Sequence, residues 1–218
     1  MKSTKTRYYG RTSGSSRIRA SISVLILALI CCCNLHAETP PRGFSATVFG
    51  EGIFPIDEYA TYTTVNAGGG LSFEYTIPHE LGLFSYGIVA QGLYDFAFIP
   101  ADSPLASVHT VSPSAGMFGL FSFRAGTIRL SIHPQVTYGV IFSFIKAKDG
   151  ATLRDVYVNQ VAEASLGFRF SLPKGAWDFE LELSPVYRMI INQNDLLHQL
   201  GARLGFVWHI SDFYWRVR

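Results

Sequence analysis

Residues Thr127–Phe144 read TIRLSIHPQVTYGVIFSF. Ile128, Leu130, Ile132, Pro134, Val136, Tyr138, Val140, Phe142 and Phe144 fall on one face of an extended chain. Arg129, Ser131, His133, Gln135, Thr137, Gly139, Ile141 and Ser143 fall on the other. A period of two means a strand with two unlike faces. A strand this long, with one face apolar and free of charge, needs a large apolar surface to meet, and a lipid bilayer supplies one.

The same alternation recurs along the chain and predicts seven further strands: Phe44–Phe54, Thr64–Ile77, Phe84–Phe98, Thr110–Phe123, Val156–Leu172, Trp177–Ile191 and Leu200–Ile210. Each is long enough to cross a bilayer when tilted. Gln160 is the one strongly polar residue that falls on an apolar face. Connections of two kinds alternate. Ile77–Gly82, Arg124–Gly126 and Pro173–Gly175 carry turn chemistry, whereas Pro55–Thr63, Ile99–His109, Ile145–Asp155 and Asn192–Gln199 are generally longer. Tight turns at one end and looser loops at the other suit a barrel with a periplasmic and an extracellular side, both termini being periplasmic. Aromatic residues form two bands on the apolar faces. Phe73, Tyr75, Phe84, Tyr86, Phe121, Phe123, Phe168, Phe170, Trp177 and Trp208 lie near the turns, and Phe54, Tyr94, Phe96, Phe98, Phe142 and Phe144 near the loops. Two such girdles are what two bilayer interfaces select.

The first residues stand apart. Lys2, Lys5, Arg7, Arg11, Arg17 and Arg19 precede the apolar run Ser21–Cys33, and Leu35-His36-Ala37 offers a small-residue cleavage site. The expectation is a secretory signal over residues 1–37, cleaved after Ala37, with a barrel domain over 38–218. A lipoprotein signal at Cys31–Cys33 is disfavoured by Ile30, which stands where that signal wants a small residue. Cleavage removes all three cysteines, so neither disulfides nor thiolates support the mature chain. It also removes six of the 18 basic residues, leaving 12 against 16 acids and no electrostatic basis for nucleic-acid binding. If such a chain spans a membrane it does so as a closed barrel, because an open sheet leaves backbone groups unpaired in lipid.

A soluble barrel also alternates, but with its apolar face inside and a solvated outer face rich in Lys and Glu. Here the polar face is instead small: Gly68, Gly70, Ser72, Gly87, Ser112, Ser114, Gly116, Gly139, Ser165, Gly167, Gly201 and Gly205. Small residues suit the narrow interior of an eight-stranded barrel and make a poor water-facing surface. The expected fold is therefore all-β, an eight-stranded antiparallel up-and-down transmembrane barrel. With this pattern the chain resembles the small eight-stranded outer-membrane barrels of diderm bacteria, the OmpA, OmpX and OmpW type. Gln199, Gly201, Leu204 and Phe206 look like the assembly signal of a final strand, which implies the outer-membrane barrel assembly machinery and the bilayer as partners. The chain departs from the pattern by continuing through Ser211–Arg218, either an interfacial anchor or a displaced last strand.

Inward-facing charges are expected at Glu51, Glu74, Asp95, Glu163, Asp178, Glu180 and Glu182 against Arg129, Arg169, Arg188 and Arg203, with His133 and His209 nearby. Buried charges must pair, so these residues predict either an ion-pair plug or a wetted path with a mild cation preference. Most of the charge is expected in the periplasmic half. An apolar funnel of Ile53, Leu93, Ile141, Tyr157, Val161, Val186 and Ile190 is expected above it, with Asp95 and Arg188 as exceptions. Such a funnel over a charged floor resembles the OmpW-type barrels most, which implies passage of small hydrophobic solutes. The alternative is a non-conducting barrel that anchors, adheres or interacts through its loops. Ser107, Asp102 and His109 near one loop give only weak grounds for catalysis, and no ligand spacing suggests a metal or cofactor.

Overall fold

The computed structural model describes residues 36–37, 43–56, 60, 63–77, 84–148, 156–171, 179–192 and 195–210. The chain divides after Leu35, and the second unit is His36–Arg218. Its eight long strands are β1 (Gly43–Pro55), β2 (Val65–Thr76), β3 (Phe84–Phe98), β4 (Leu105–Ala125), β5 (Ile128–Ala147), β6 (Tyr157–Ser171), β7 (Phe179–Ile191) and β8 (Leu196–His209). Each pairs antiparallel with its neighbours in sequence, and β8 pairs back onto β1, so the sheet closes. Closure satisfies the backbone groups that a free edge would leave exposed. A two-residue strand, His36–Ala37, lies against β4 at Arg124 and Phe123, where β3 has already ended.

The strands are tilted. Following paired residues once round the barrel from Phe168 on β6 returns to β6 at Val158, ten residues away. This stagger fixes strand tilt and bore together. The bore is narrow, and glycine makes room within it. A Cβ on Gly70 would meet the Gly92 carbonyl and the Phe49 ring, and one on Gly87 would meet the Tyr75 carbonyl and the Phe118 ring. Phe49 and Phe118 are the largest apolar side chains on the inner wall and are 4% exposed. Large rings therefore face glycine, as a small barrel requires. The tight turn between β4 and β5 passes through Gly126 at φ 61°, a conformation that a side chain would strain.

The eight expected strands are all present, in the expected order and with the expected faces inward. Their ends differ. β4 and β5 run to 21 and 20 residues and extend beyond their neighbours, and β8 begins at Leu196 rather than Leu200. Three of the expected loops shorten accordingly. Asp95 and Thr110 pair, as do Ala97 and Val108, so β3 and β4 join through residues 99–104. There Lys148 donates its backbone N–H to the Pro104 carbonyl at 3.0 Å and its Nζ to the Ala101 carbonyl at 2.6 Å. The missed ends share a cause. Ser107, His109, Lys146 and His198 occupy outward positions there, so the apolar alternation lapses while the backbone ladder continues. Closure through Leu196–His209 makes this the last barrel strand; Ser211–Arg218 lie outside the described residues.

Candidate functional site: a lumen crossed by ion pairs

Alternation delivers every second side chain to the lumen, many of them polar, and tilt then decides which of them meet. Near the turn end Arg169 on β6 reaches across the bore to β2. Its Nη2 donates to Glu74 Oε1 at 2.6 Å, and its Nε donates to Glu182 Oε2 on β7 at 2.6 Å. β2 and β6 stand on opposite sides of an eight-stranded wall, so this pair spans the lumen. His133 on β5 lies 3.6 Å from Glu74 and 3.5 Å from Glu182, and its ring meets Phe118 edge-on at 5.1 Å. Ser45 donates to Glu74, and Ser184 to Glu182.

A second bridge lies nearer the loops. Arg188 on β7 donates through Nη1 to Asp95 Oδ2 on β3 at 3.0 Å, again across the bore. Its Nη2 donates to Glu51 on β1 at 2.5 Å and to Glu163 on β6 at 2.8 Å. Arg203 on β8 donates to Glu51 at 2.7 Å and to Glu163 at 2.8 Å, with its guanidinium 4.1 Å from the centre of the Phe49 ring. Gln91 donates to Glu163 at 3.0 Å and accepts from Gln135 Nε2 at 3.1 Å. One hydrogen-bonded set thus ties β1, β3, β5, β6, β7 and β8 together. Arg169 and Arg188 are each 1% exposed. Guanidinium charges this far from water are tolerable only when carboxylates answer them, as Glu74 and Glu182 answer Arg169 and as Asp95, Glu51 and Glu163 answer Arg188.

At the turn-end rim Arg129 lies 3.7 Å and His209 3.3 Å from Glu180, a looser group than the two bridges. Asp178 lies outside the described residues. The apolar set needs one correction. Ile53, Leu93, Ile141, Val161, Val186 and Ile190 are buried on the inner wall, but Tyr157 is 43% exposed. It is the first residue of β6 and stands at the rim, not within the bore. The remaining six share the loop half with Asp95 and Arg188, the two expected exceptions. Ile53 and Val161 lie one inward position nearer the loops than Glu51 and Glu163, Leu93 lies one nearer the turns than Asp95, and Arg188 lies between Val186 and Ile190. Distance from a strand end does not equal height in a tilted barrel, so Arg203, expected with the lower charges, meets Glu51 and Glu163 at the upper bridge. Ile141, Ile190, Asp95 and Arg188 line a single cavity of about 20 Å³, room for little more than one water.

The outer wall is the converse. Val136, Met117, Leu204, Leu183 and Leu71 are half-exposed or more, and no Asp, Glu or Arg occupies an outward position among the described strand residues. Outward polar groups gather at the loop end and are held by tyrosine hydroxyls. Tyr94 bonds His109 Nδ1 at 2.7 Å, Tyr187 bonds His198 Nδ1 at 2.6 Å, and Tyr138 donates to Gln160 Oε1 at 2.6 Å. Aromatic contacts such as Phe44–Tyr75 and Phe84–Phe121 mark the turn end, and Phe96–Phe98 the loop end. Sequence reading found the charges but missed Gln91, Gln135 and the three tyrosine pairs. Gln91 and Gln135 carry no charge to draw attention, yet they stitch the upper bridge together.

The fold and the lumen define a class: a small, closed eight-stranded meander, apolar outside and filled with side chains inside. No protein-family model matches the chain and no curated protein sequence matches it. Among solved structures it is similar to Ail, the attachment invasion locus protein of Yersinia pestis, at 11% identity over 77% of this chain and 99% of that one, with a TM-score of 0.41. It is similar to Neisserial surface protein A at 7% identity over 78% and 99%, with a TM-score of 0.49. The N-terminal β-barrel domain of Pseudomonas aeruginosa OprF aligns at 13% identity over 78% and 100%, with a TM-score of 0.36. None of these singles out an OmpW-type relationship.

Proposed function

We propose that the protein is an integral outer-membrane barrel of a diderm bacterium whose lumen is shut and whose role is exercised at its loop end, by anchoring or surface interaction. The observation that carries this reading is the division of charge: paired across the bore inside, and missing from the outward positions of the described strands except Lys146, His109 and His198 at the loop end. A water-facing wall has no reason for that division; a lipid-facing wall requires it. In this reading residues 1–37 are the export signal, the turns lie in the periplasm, and the barrel has no catalytic or nucleic-acid role. The bilayer and the assembly machinery are its constitutive partners.

Passage of small apolar solutes is the second reading. It draws on the packed cluster of Ile141, Val161 and Ile190 with Leu197 near the loops. That path ends on Arg188 and Asp95, which bar an apolar solute unless the bridge opens. The location is tested by fractionating a diderm host that expresses the full chain. The protein is expected in the outer-membrane fraction, migrating faster on gels before heating than after. Recovery as a soluble periplasmic protein with a heat-independent mobility contradicts the proposal.

A further inference from the structure

The cavity on the loop side of the Arg188 bridge has a chemistry that the ion pairs do not account for. Asp95, Asn66, Gln199, Thr110 and Ser143 all contribute to its lining, together with Arg188. Asp95 is 2% exposed, and only its Oδ2 is engaged, by Arg188; its Oδ1 has no partner. Asn66 Oδ1 has none either, and neither polar atom of Gln199 is satisfied although that side chain is 1% exposed. Buried polar atoms are paired as a rule, so several orphans round one small space call for an occupant. The charge points the same way. Glu51, Asp95 and Glu163 face only Arg188 and Arg203, leaving one carboxylate in excess.

We propose that this cavity is a binding site for a small hard metal cation of sodium or calcium size, held by Asp95 Oδ1 with the amide oxygens of Asn66 and Gln199. One carboxylate, two amide oxygens and nearby hydroxyls form an all-oxygen donor set, and such sets bind hard cations with water completing the shell. The space of about 20 Å³ admits an ion or a water and no organic solute. A single anionic ligand makes the site weak, in the range of the low-charge calcium sites exposed to millimolar ion. Gln199 pairs with Pro55 and with Arg188, and Asn66 with Ala97, so the ion would lock β8, β1, β7, β2 and β3 at the mouth of the barrel. The site requires neither a membrane nor a conducting lumen, so it stands apart from the functional reading above.

The test uses the folded full-length barrel in detergent micelles, melted in choline chloride, sodium chloride, potassium chloride or calcium chloride at constant ionic strength. A saturable rise of about 3 °C in the midpoint is expected in sodium or calcium salt over choline. Gln199→Leu and Asn66→Leu leave every ion pair intact and are expected to abolish that rise. Asp95→Asn should abolish it too, and the amide variants keep the test decisive if Asp95→Asn fails to fold. Equal midpoints in choline and all three metal salts overturn the proposal and leave water as the occupant. A rise that survives in both amide variants overturns it as well, because the ion then binds elsewhere.

Discussion

Replacing Arg188 with methionine is expected to cost the barrel about 3–5 kcal/mol, the usual penalty for stripping one partner from a buried charge group. Methionine keeps much of the side chain's length and removes its charge. Glu51, Asp95 and Glu163 would then share the single guanidinium of Arg203, which reaches Glu51 and Glu163 but makes no ion pair with Asp95. All three carboxylates are at most 7% exposed, so water does not replace what is lost. The measurement is the urea midpoint of the barrel in lipid vesicles, followed by the heat-dependent gel shift. Arg188→Met combined with Asp95→Asn is expected to recover part of the loss, because one unpaired charge goes with it. A loss below about 1 kcal/mol would place these carboxylates in water and reopen the lumen as a wetted path.

The second large effect concerns the outer wall. Val136 is 62% exposed and lies on β5 between the two aromatic bands. Val136→Arg is expected to cost about 2–4 kcal/mol in vesicles, the depth-dependent penalty for a cation at the bilayer midplane. Val158→Arg, at the loop end of β6, is expected to cost about 0–1 kcal/mol, because its side chain reaches the interface. Both valines are similarly exposed, so burial within the protein cannot separate them; only depth in a bilayer does. In a soluble barrel both substitutions would fall within about 0.5 kcal/mol of neutral. Equal and small costs at the two positions would therefore remove the bilayer from the account.

Much of this architecture was legible in the residues because its signal is local. Ile128 to Phe144 names its own faces, and a Gly at 70 or 87 announces a narrow bore. Strand ends were less legible where the outward residue turned polar. His109, Lys146 and His198 break the apolar pattern, yet they belong to the ladder because backbone pairing continues whatever the outward side chain is. The lumen was readable as a list of charges and not as a set of pairs. Arg169 and Glu74 are 95 residues apart, Arg203 and Glu51 are 152 apart, and the stagger that brings them together is a property of the closed sheet, with no local trace. The expected apolar funnel has a charged floor that the residues alone did not assemble. Asp95 and Arg188 were expected among its side chains, but Arg203 was expected lower and instead joins Glu51 and Glu163 there. Gln91 and Gln135 were overlooked because an uncharged amide on a polar face looks ordinary until its partners are known.

Two bridges span the bore, Arg169 to Glu74 and Arg188 to Asp95, and the proposed closure of the lumen rests on them. The direct test is ionic current through purified, folded protein in a planar lipid bilayer, with insertion verified independently. The proposed closed lumen predicts insertion without sustained conductance, and the appearance of current once Arg188 and Asp95 are both made small, as in Arg188→Ala with Asp95→Ala. A stable open conductance in the unmodified protein would contradict the closed lumen on which this account rests.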